Sequence, residues 1–497
     1  MKQSVLFFVI IICITCFANA QKNLVTCGWH SNENLPHFLR NQDRLLDNNA
    51  TATLVNTTTI YTLPVVVHVI HTGTVVGAIG NPNNTQINAM IANLNSAFRK
   101  KVGLYGGADM KIQFKLAIRG PGCTTTNGIV RINGSSITNY VTGGITNYNV
   151  AGSADEKLVK NLSRWPNTDY INIWIVNKIN GNAFYPGGYA YFPEYNSALT
   201  DGLVLQASVV NGTNKTIVHE MGHFFGLYHT FYDDANETSC AANTDCTTQG
   251  DKVCDTEVHL NMPCSTANNS CNGSTPFIVA DTVKHYTVLN NYMGYTDCQW
   301  MFTEGQKTRA RTAFFNYRYG LFTSKALTAA NNLIPTVACI PTATLGLSPY
   351  YGIEKVEFNT LKVYSNSSMA DGSFYVDRSC NQSTNITQGL SYTLIITGSY
   401  QNPHRIKAFI DYNNDGDFDD VNETLLSVYT GKVAKKIIIP VSVVITGLPL
   451  RMRIVADNPA LPVPTACLLH GTAIEGAGQV EDFSVIVYPP PVVVAND

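Results

Sequence analysis

Eleven consecutive residues, His219 to His229, read H-E-x-x-H-x-x-G-x-x-H. His219 and His223 are four apart, so on a helix both imidazoles leave one face and can share a Zn²⁺. Glu220 points about 100° further round the helix. It is turned away from the shared metal position but well placed to hold a water there and take its proton. Gly226 permits a sharp exit from the helix, because glycine tolerates positive φ. The turn brings His229 back as a third ligand. Three protein ligands with a fourth position left for water are the arrangement of a catalytic zinc. The alternative is an amphipathic core helix with buried histidines. Gly226 and His229 make a chance match far rarer than that of a bare H-E-x-x-H.

Such a helix must be set against a scaffold. Leu63 to Ile70 is a β-branched run that predicts a buried strand. Asn83-Asn84-Thr85 then opens a helix with Ile87, Met90, Ile91, Leu94 and Phe98 at helical spacing. Ile112–Leu116 and Tyr170–Val176 read as further strands, and Leu203–Val209 as an inner strand leading to the helix at Thr216. This alternation predicts an α/β sheet with helices packed on it. Gly187 to Pro193 has strand character bounded by glycine and proline, which suits a sheet edge. Gly188, Tyr189 and Ala190 there either hold an extended peptide by backbone hydrogen bonds or form an ordinary edge strand.

The chain has 497 residues, a net charge of −2 and 14% charged residues. That balance gives no support to nucleic-acid binding or to a polybasic membrane anchor. Lys2, the apolar run Val5–Cys16 and Ala18-Asn19-Ala20 form a signal peptide, with cleavage expected after Ala20 and export. No later stretch is long enough to span a bilayer. Cleavage removes Cys13 and Cys16 and leaves eleven of the thirteen cysteines, an odd number. Six of them, Cys240, Cys246, Cys254, Cys264, Cys271 and Cys298, are expected to form disulfides in an irregular stretch, with fifteen pairings open. Cys27, in the polar segment before Tyr61, is either a propeptide thiolate that caps the zinc or one half of another disulfide. Asp251, Asp255 and Thr256 offer oxygens for Ca²⁺ or are solvated loop charge.

After about Thr336 short alternating runs follow, at Ser391–Thr397, Ile406–Ile410 and Ile437–Val444. They predict an all-β sandwich. Asp411, Asn413, Asp415 and Gly416 stand at positions 1, 3, 5 and 6 of an EF-hand-like loop, with Asp417 next. Asn422 occupies position 12, where such a loop carries Glu. The two readings are a calcium loop and an acidic β-turn.

Several motifs together resemble the pappalysin family of metzincin metallopeptidases, in its secreted bacterial, ulilysin-like branch. They are the zinc motif with Leu227–Phe231, Asp255-Thr256, Asn291-Tyr292-Met293 and Phe302-Thr303-x-Gly305-Gln306. Pro64–His68 and Gly188–Pro193 match as well. The resemblance covers roughly residues 60 to 335. It implies an α/β (α+β) catalytic domain with a twisted mixed sheet and an active-site helix. It also implies Met293 as a hydrophobic floor beneath the zinc and Tyr295 as a phenol that steadies the tetrahedral intermediate. Asp297, just after the methionine turn, either lines the S1′ pocket and favours Arg or Lys or is an ordinary helix or loop carboxylate. Gly294 and Glu257 depart from the family pattern, and Cys27-Gly28-Trp29 is not the matrixin type of cysteine-switch motif. Arg451–Ile454 and Gly478–Phe483 resemble the GEVED domain, with Gln479 in place of its first Glu. That implies an accessory β-sandwich for a surface or glycan ligand.

The expected organisation is a signal peptide (1–20), a propeptide (21–60), a zinc peptidase domain (61–335), a GEVED-like sandwich (336–488) and a proline-rich tail (489–497). The expected activity is secreted zinc endopeptidase action on protein or peptide substrates, with one catalytic Zn²⁺ and structural Ca²⁺. The rival is a zinc-containing adhesion or binding protein that works through the sandwich.

Overall fold

The computed structural model describes residues 58–490, apart from 102–105, 194–196, 234–236, 243, 267, 274–286, 331–332, 366, 443 and 460–461. The signal peptide, Cys27, nearly all of the expected propeptide and most of the tail lie outside the described residues.

The N-terminal region is built on one sheet. Strand β1 (Tyr61–His71) pairs in parallel with β2 (Ile112–Leu116) at its start and with β3 (Ile129–Asn133) at its end. On its other side it pairs in parallel with β4 (Ile171–Val176), which pairs in parallel with β6 (Leu203–Gln206). The last strand, β5 (Gly188–Ala190), runs antiparallel to β6 and forms the edge. Both faces of β1 are covered, as a near-continuous apolar run requires. Leu63, Val65, Val67 and Val69 face one core, while Val66 and Ile70 face the other side.

Helix α1 (Asn84–Phe98) lays Ile87, Met90, Ile91, Leu94, Ala97 and Phe98 on the first core. Its start is fixed by a capping box between Asn83 and Gln86. Helix α2 (Glu156–Lys160) packs on the opposite side, with Val159 among Trp174, Tyr189 and Val204. Helix α3 (Thr216–Phe224) is buried along its whole length, and α4 (Glu304–Tyr317) packs beside it through Ala310, Phe314 and Phe315.

In the C-terminal region two sheets enclose one core. The first holds β7 (Ile353–Phe358), β8 (Leu361–Tyr364), β11 (Ser391–Gly398) and β14 (Lys432–Ile438). The second holds β9 (Tyr375–Asp377), β10 (Ser383–Thr387), β12 (His404–Ile410), β13 (Thr424–Thr430), β15 (Pro449–Asp457) and β16 (Gln479–Tyr488). Val356, Ile396, Ile406, Met452 and Phe483 meet between the sheets. One expected run is displaced. The strand placed at Ile437–Val444 is instead Lys432–Ile438, since Pro440 cannot donate to a ladder and Val441 is exposed.

The two regions are joined by more than the chain. Cys123 is disulfide-bonded to Cys380. Arg378 Nη1 donates to Thr168 Oγ1 at 2.7 Å, and Asn381 Nδ2 donates to the Tyr170 hydroxyl at 2.7 Å. Cys339–Cys467 closes the C-terminal region, and Cys240–Cys271, Cys246–Cys254 and Cys264–Cys298 staple the irregular stretch. All ten cysteines of the described residues are thus paired, and the fifteen open pairings reduce to one.

Candidate active site

Helix α3 carries His219, Glu220 and His223, each buried. The chain leaves it at Gly226, whose φ is +81°, and His229 returns to face the two helical imidazoles. The three Nε2 atoms lie 3.1, 3.1 and 3.2 Å apart.

What each opposite ring nitrogen does decides the chemistry. His219 Nδ1 is 2.7 Å from Tyr292 O, His223 Nδ1 is 2.7 Å from Leu227 O, and His229 Nδ1 is 2.6 Å from Glu237 Oε1. Oxygens of these kinds only accept, so each Nδ1 carries the proton and donates. In neutral imidazoles each Nε2 then offers a lone pair. Burial holds His219 and His223 well below the ordinary imidazole range, and the neighbouring histidines add to the effect. Three converging lone pairs repel one another unless a cation stands between them. Zinc at its usual nitrogen distance would set tetrahedral ligands about 3.3 Å apart. The three histidines fit a zinc site.

The surroundings hold this arrangement. Arg309 Nε donates to Gly226 O at 2.7 Å and Arg318 Nε to Phe224 O at 3.1 Å, so α4 and the residue that caps it clamp the end of α3 and the turn after it. Met293 is fully buried, with its Sδ against Gly222, where an added Cβ would lie 2.3 Å from the sulfur. Only glycine at 222 lets the methionine sit this close beneath the helix. Asn291 fixes the methionine turn by accepting from Met293 N at 2.9 Å and exchanging two hydrogen bonds with Gln306. Gln306 is itself in the capping box of α4 with Thr303. The Tyr295 ring centroid lies 4.7 Å from that of His229 and 5.5 Å from that of His219.

The edge strand lies against the same site. An added Cβ on Gly188 would be 3.1 Å from Glu220 Cγ, so glycine lets the strand press on the glutamate. Gly187 O accepts from Gln206 N and Tyr191 N donates to Gly202 O. By alternation, the backbone groups of Gly188 and Ala190 face outward, away from β6. Tyr189 turns the other way. Its hydroxyl donates to Glu156, as does that of Tyr191, and Lys160 Nζ sits 2.8 Å from the same carboxylate.

Other expected residues have protein partners. Asp255 accepts from Thr303 Oγ1 at 2.6 Å and from Gly305 N at 2.8 Å, which places its charge at the start of α4. Asp251 accepts from Thr256 Oγ1 at 2.7 Å and from Val253 N at 3.1 Å, and burial pushes its carboxyl up to about 7. Asp297 is exposed, and its backbone carbonyl accepts from Lys215 Nζ at 2.9 Å. Sequence reasoning missed Glu237, eight residues after His229 in a stretch without periodicity. It also missed Gly222, Arg309 of α4 and Arg318 just after it.

Residues 152–314 match the family model described as pregnancy-associated plasma protein-A, Peptidase_M43. Residues 405–486 match the GEVED domain. Residues 152–314 are thus similar to the peptidase domain of the pappalysin family. An extracellular metalloprotease of Pyricularia oryzae is 30% identical over 188 residues, which are 35% of this chain and 58% of that protein. One of Colletotrichum graminicola is 32% identical over 184 residues, 34% of this chain and 57% of that protein. The chain thus spans a little over half the length of these relatives. Mature mirolysin of Tannerella forsythia, solved in complex with a cleaved peptide, is 26% identical, with 55% of this chain and 99% of that one covered and a TM-score of 0.42. The N-terminal region has a mixed α/β layout of one sheet with the histidine-bearing helix, followed by the β-rich region. Among the described residues no helix is long and apolar enough to cross a membrane.

Proposed function

We propose that the chain is a secreted zinc endopeptidase that hydrolyses internal peptide bonds of extracellular proteins. The observation that carries this reading is the triad of Nε2 atoms, 3.1–3.2 Å apart, with every Nδ1 tied to an oxygen. His219, His223 and His229 hold the zinc. When bound, the ion makes a water acidic enough to ionise near neutral pH and polarises the scissile carbonyl.

The chain's own residues do the rest. An extended substrate pairs its backbone with the outward groups of Gly188 and Ala190, which sets the scissile bond beside Glu220. Glu220 accepts the proton of the attacking water and returns it to the leaving amine. The Tyr295 hydroxyl donates to the developing oxyanion. Met293 forms the floor. Asp297, exposed at the end of the methionine turn, favours a basic side chain after the cut.

Residues 1–20 direct export, and residues 21–60 form a propeptide in front of a peptidase domain of residues 61–335 and a sandwich of residues 336–488. Of the eleven cysteines after Ala20, ten are paired with one another, which leaves Cys27 as the thiol for a zinc-capping propeptide. The sandwich serves surface or glycan binding. The test is cleavage of casein by the purified, activated chain, with and without a chelator. Cleavage that a chelator abolishes and added Zn²⁺ restores supports the reading. Cleavage indifferent to chelation, or none at all, overturns it.

A further inference from the structure

The loop between β12 and β13, Asp411 to Glu423, holds six carboxylates in thirteen residues and no Lys, Arg or His. Among the described residues no ion pair involves them. Asp411 is fully buried and accepts from Asp415 N at 3.2 Å and Gly416 N at 3.0 Å. Gly416 has φ +95°, the sharp turn that a calcium loop makes at its sixth position. The side chains of Asp415, Asp417 and Asp420 bring oxygens within 4.8 Å of one another. Between Asp415 and Asp420 stands a neutral amide, with Asn413 Nδ2 at 2.8 and 2.5 Å.

The second observation comes from outside this cluster. Glu423, first residue after position 12, is 1% exposed. Its Oε1 accepts from Tyr412 N at 2.8 Å, while its buried Oε2 has no hydrogen-bond partner. It lines the same groove as Asn413 and Asp420. Burial, and behind it the charge of Asp411, pushes its carboxyl up to about 7 against the pull of the Tyr412, Asp420 and Asn413 N–H groups. A buried carboxylate oxygen with no donor, beside a second buried carboxylate, is costly unless a cation neutralises both.

We propose that this loop binds one Ca²⁺, with Glu423 as the closing ligand that Asn422 at position 12 cannot supply. Asp411, Asn413, Asp415, Asp417 and Asp420 complete an all-oxygen set of the size calcium takes. The site stands apart from the peptidase centre and does not depend on the activity assigned there. It also reaches the segment between the two regions. Thr336 N donates to Asn414 Oδ1 at 3.1 Å, and an added Cβ on Gly416 would lie 3.1 Å from Val337 O. Calcium in the loop therefore stiffens the seat of that segment.

The test uses the full chain carrying Glu220→Ala, with zinc buffered throughout. Ca²⁺ stoichiometry is measured by equilibrium dialysis, and Tb³⁺ luminescence is excited through the loop's Tyr412. Two variants are compared with this parent, Glu423→Gln and the exposed pair Asp415→Asn with Asp417→Asn. Each is expected to lose one Ca²⁺ equivalent, or to bind it at least about tenfold more weakly, with the luminescence falling in step. If Glu423→Gln does not fold by circular dichroism, the exposed pair decides. Unchanged stoichiometry together with unchanged affinity in the exposed pair, or in a folded Glu423→Gln, overturns the proposal, as does a parent that takes up no Ca²⁺ at millimolar concentration.

Discussion

Two buried polar clusters, one in each region, use opposite logic. Around helix α3 three imidazoles turn their Nε2 atoms toward one point, 3.1–3.2 Å from one another. Around β15 and β16 the GEVED-like residues do the reverse. Asp482 is fully buried and takes Arg453 Nε and Nη2 at 2.7 Å each, Arg451 Nη1 at 2.7 Å and the Tyr375 hydroxyl at 2.8 Å. Arg451 spends its other nitrogens on Thr336 O and Pro335 O, and Arg453 Nη1 on Ala466 O. Glu481 Oε1 takes Arg378 at 2.8 Å and Ser365 at 2.5 Å, its Oε2 has no hydrogen-bond partner but lies on a carboxylate already paired with Arg378, and Gln479 donates to Asp371 at 2.7 Å. A cluster in which buried carboxylates face buried guanidiniums is a structural joint, and one in which neutral nitrogen lone pairs converge is a seat for an ion. The motif that looks most functional in the second region is therefore what locks it, through Arg378 and Thr168, to the first.

This contrast can be broken at several points. The largest effect is expected from Asp482→Ala, which leaves two buried guanidiniums without their shared acceptor. It should cost about 3–5 kcal/mol in chemical denaturation of the full chain. A loss under about 1 kcal/mol would mean that the joint is not the buried network described. Next comes Glu237→Gln, which keeps an acceptor for His229 Nδ1 but removes its charge. Zinc affinity should fall about 10–100-fold in a competition titration, with little change in secondary structure. Unchanged affinity would show that Glu237 does not orient His229. The smallest effect should follow Asp377→Asn. Asp377 is the half-exposed partner of Arg451 at 3.1 Å, and the guanidinium keeps Asp482. The expected cost is under about 1 kcal/mol. A cost equal to that of Asp482→Ala would erase the distinction between rim and core in this joint.

The parts legible in the sequence are those whose signal is local. The zinc helix reads from eleven residues, because ligand spacing and the glycine exit lie within them. β1 and α1 read from a β-branched run and a capped apolar stripe. The parts not legible depend on distance along the chain. Asp255 meets Gly305 across fifty residues, and Cys123 meets Cys380 across 257. No spacing rule links either pair. Two of the three acceptors behind the clustered histidines are backbone carbonyls, of Tyr292 and Leu227, and a carbonyl leaves no mark on residue type. β3 escaped because Ile129–Asn133 is only half-buried and its hydrophobic pattern is weak. In the C-terminal region the loop at Asp411 was visible as an acidic run. Its closing residue was hidden by a single-residue offset, since a pattern fixed at position 12 finds Asn422 and misses Glu423.

The central claim is that the histidine cluster holds zinc and that Glu220 beside it moves the proton. It is tested most directly by one paired measurement on purified Glu220→Ala, namely zinc per chain and the rate of casein cleavage. The account predicts one zinc ion retained per chain and a rate lower by at least about 100-fold. Full cleavage activity in that variant, or a chain that holds no zinc even with Glu220 intact, would contradict it.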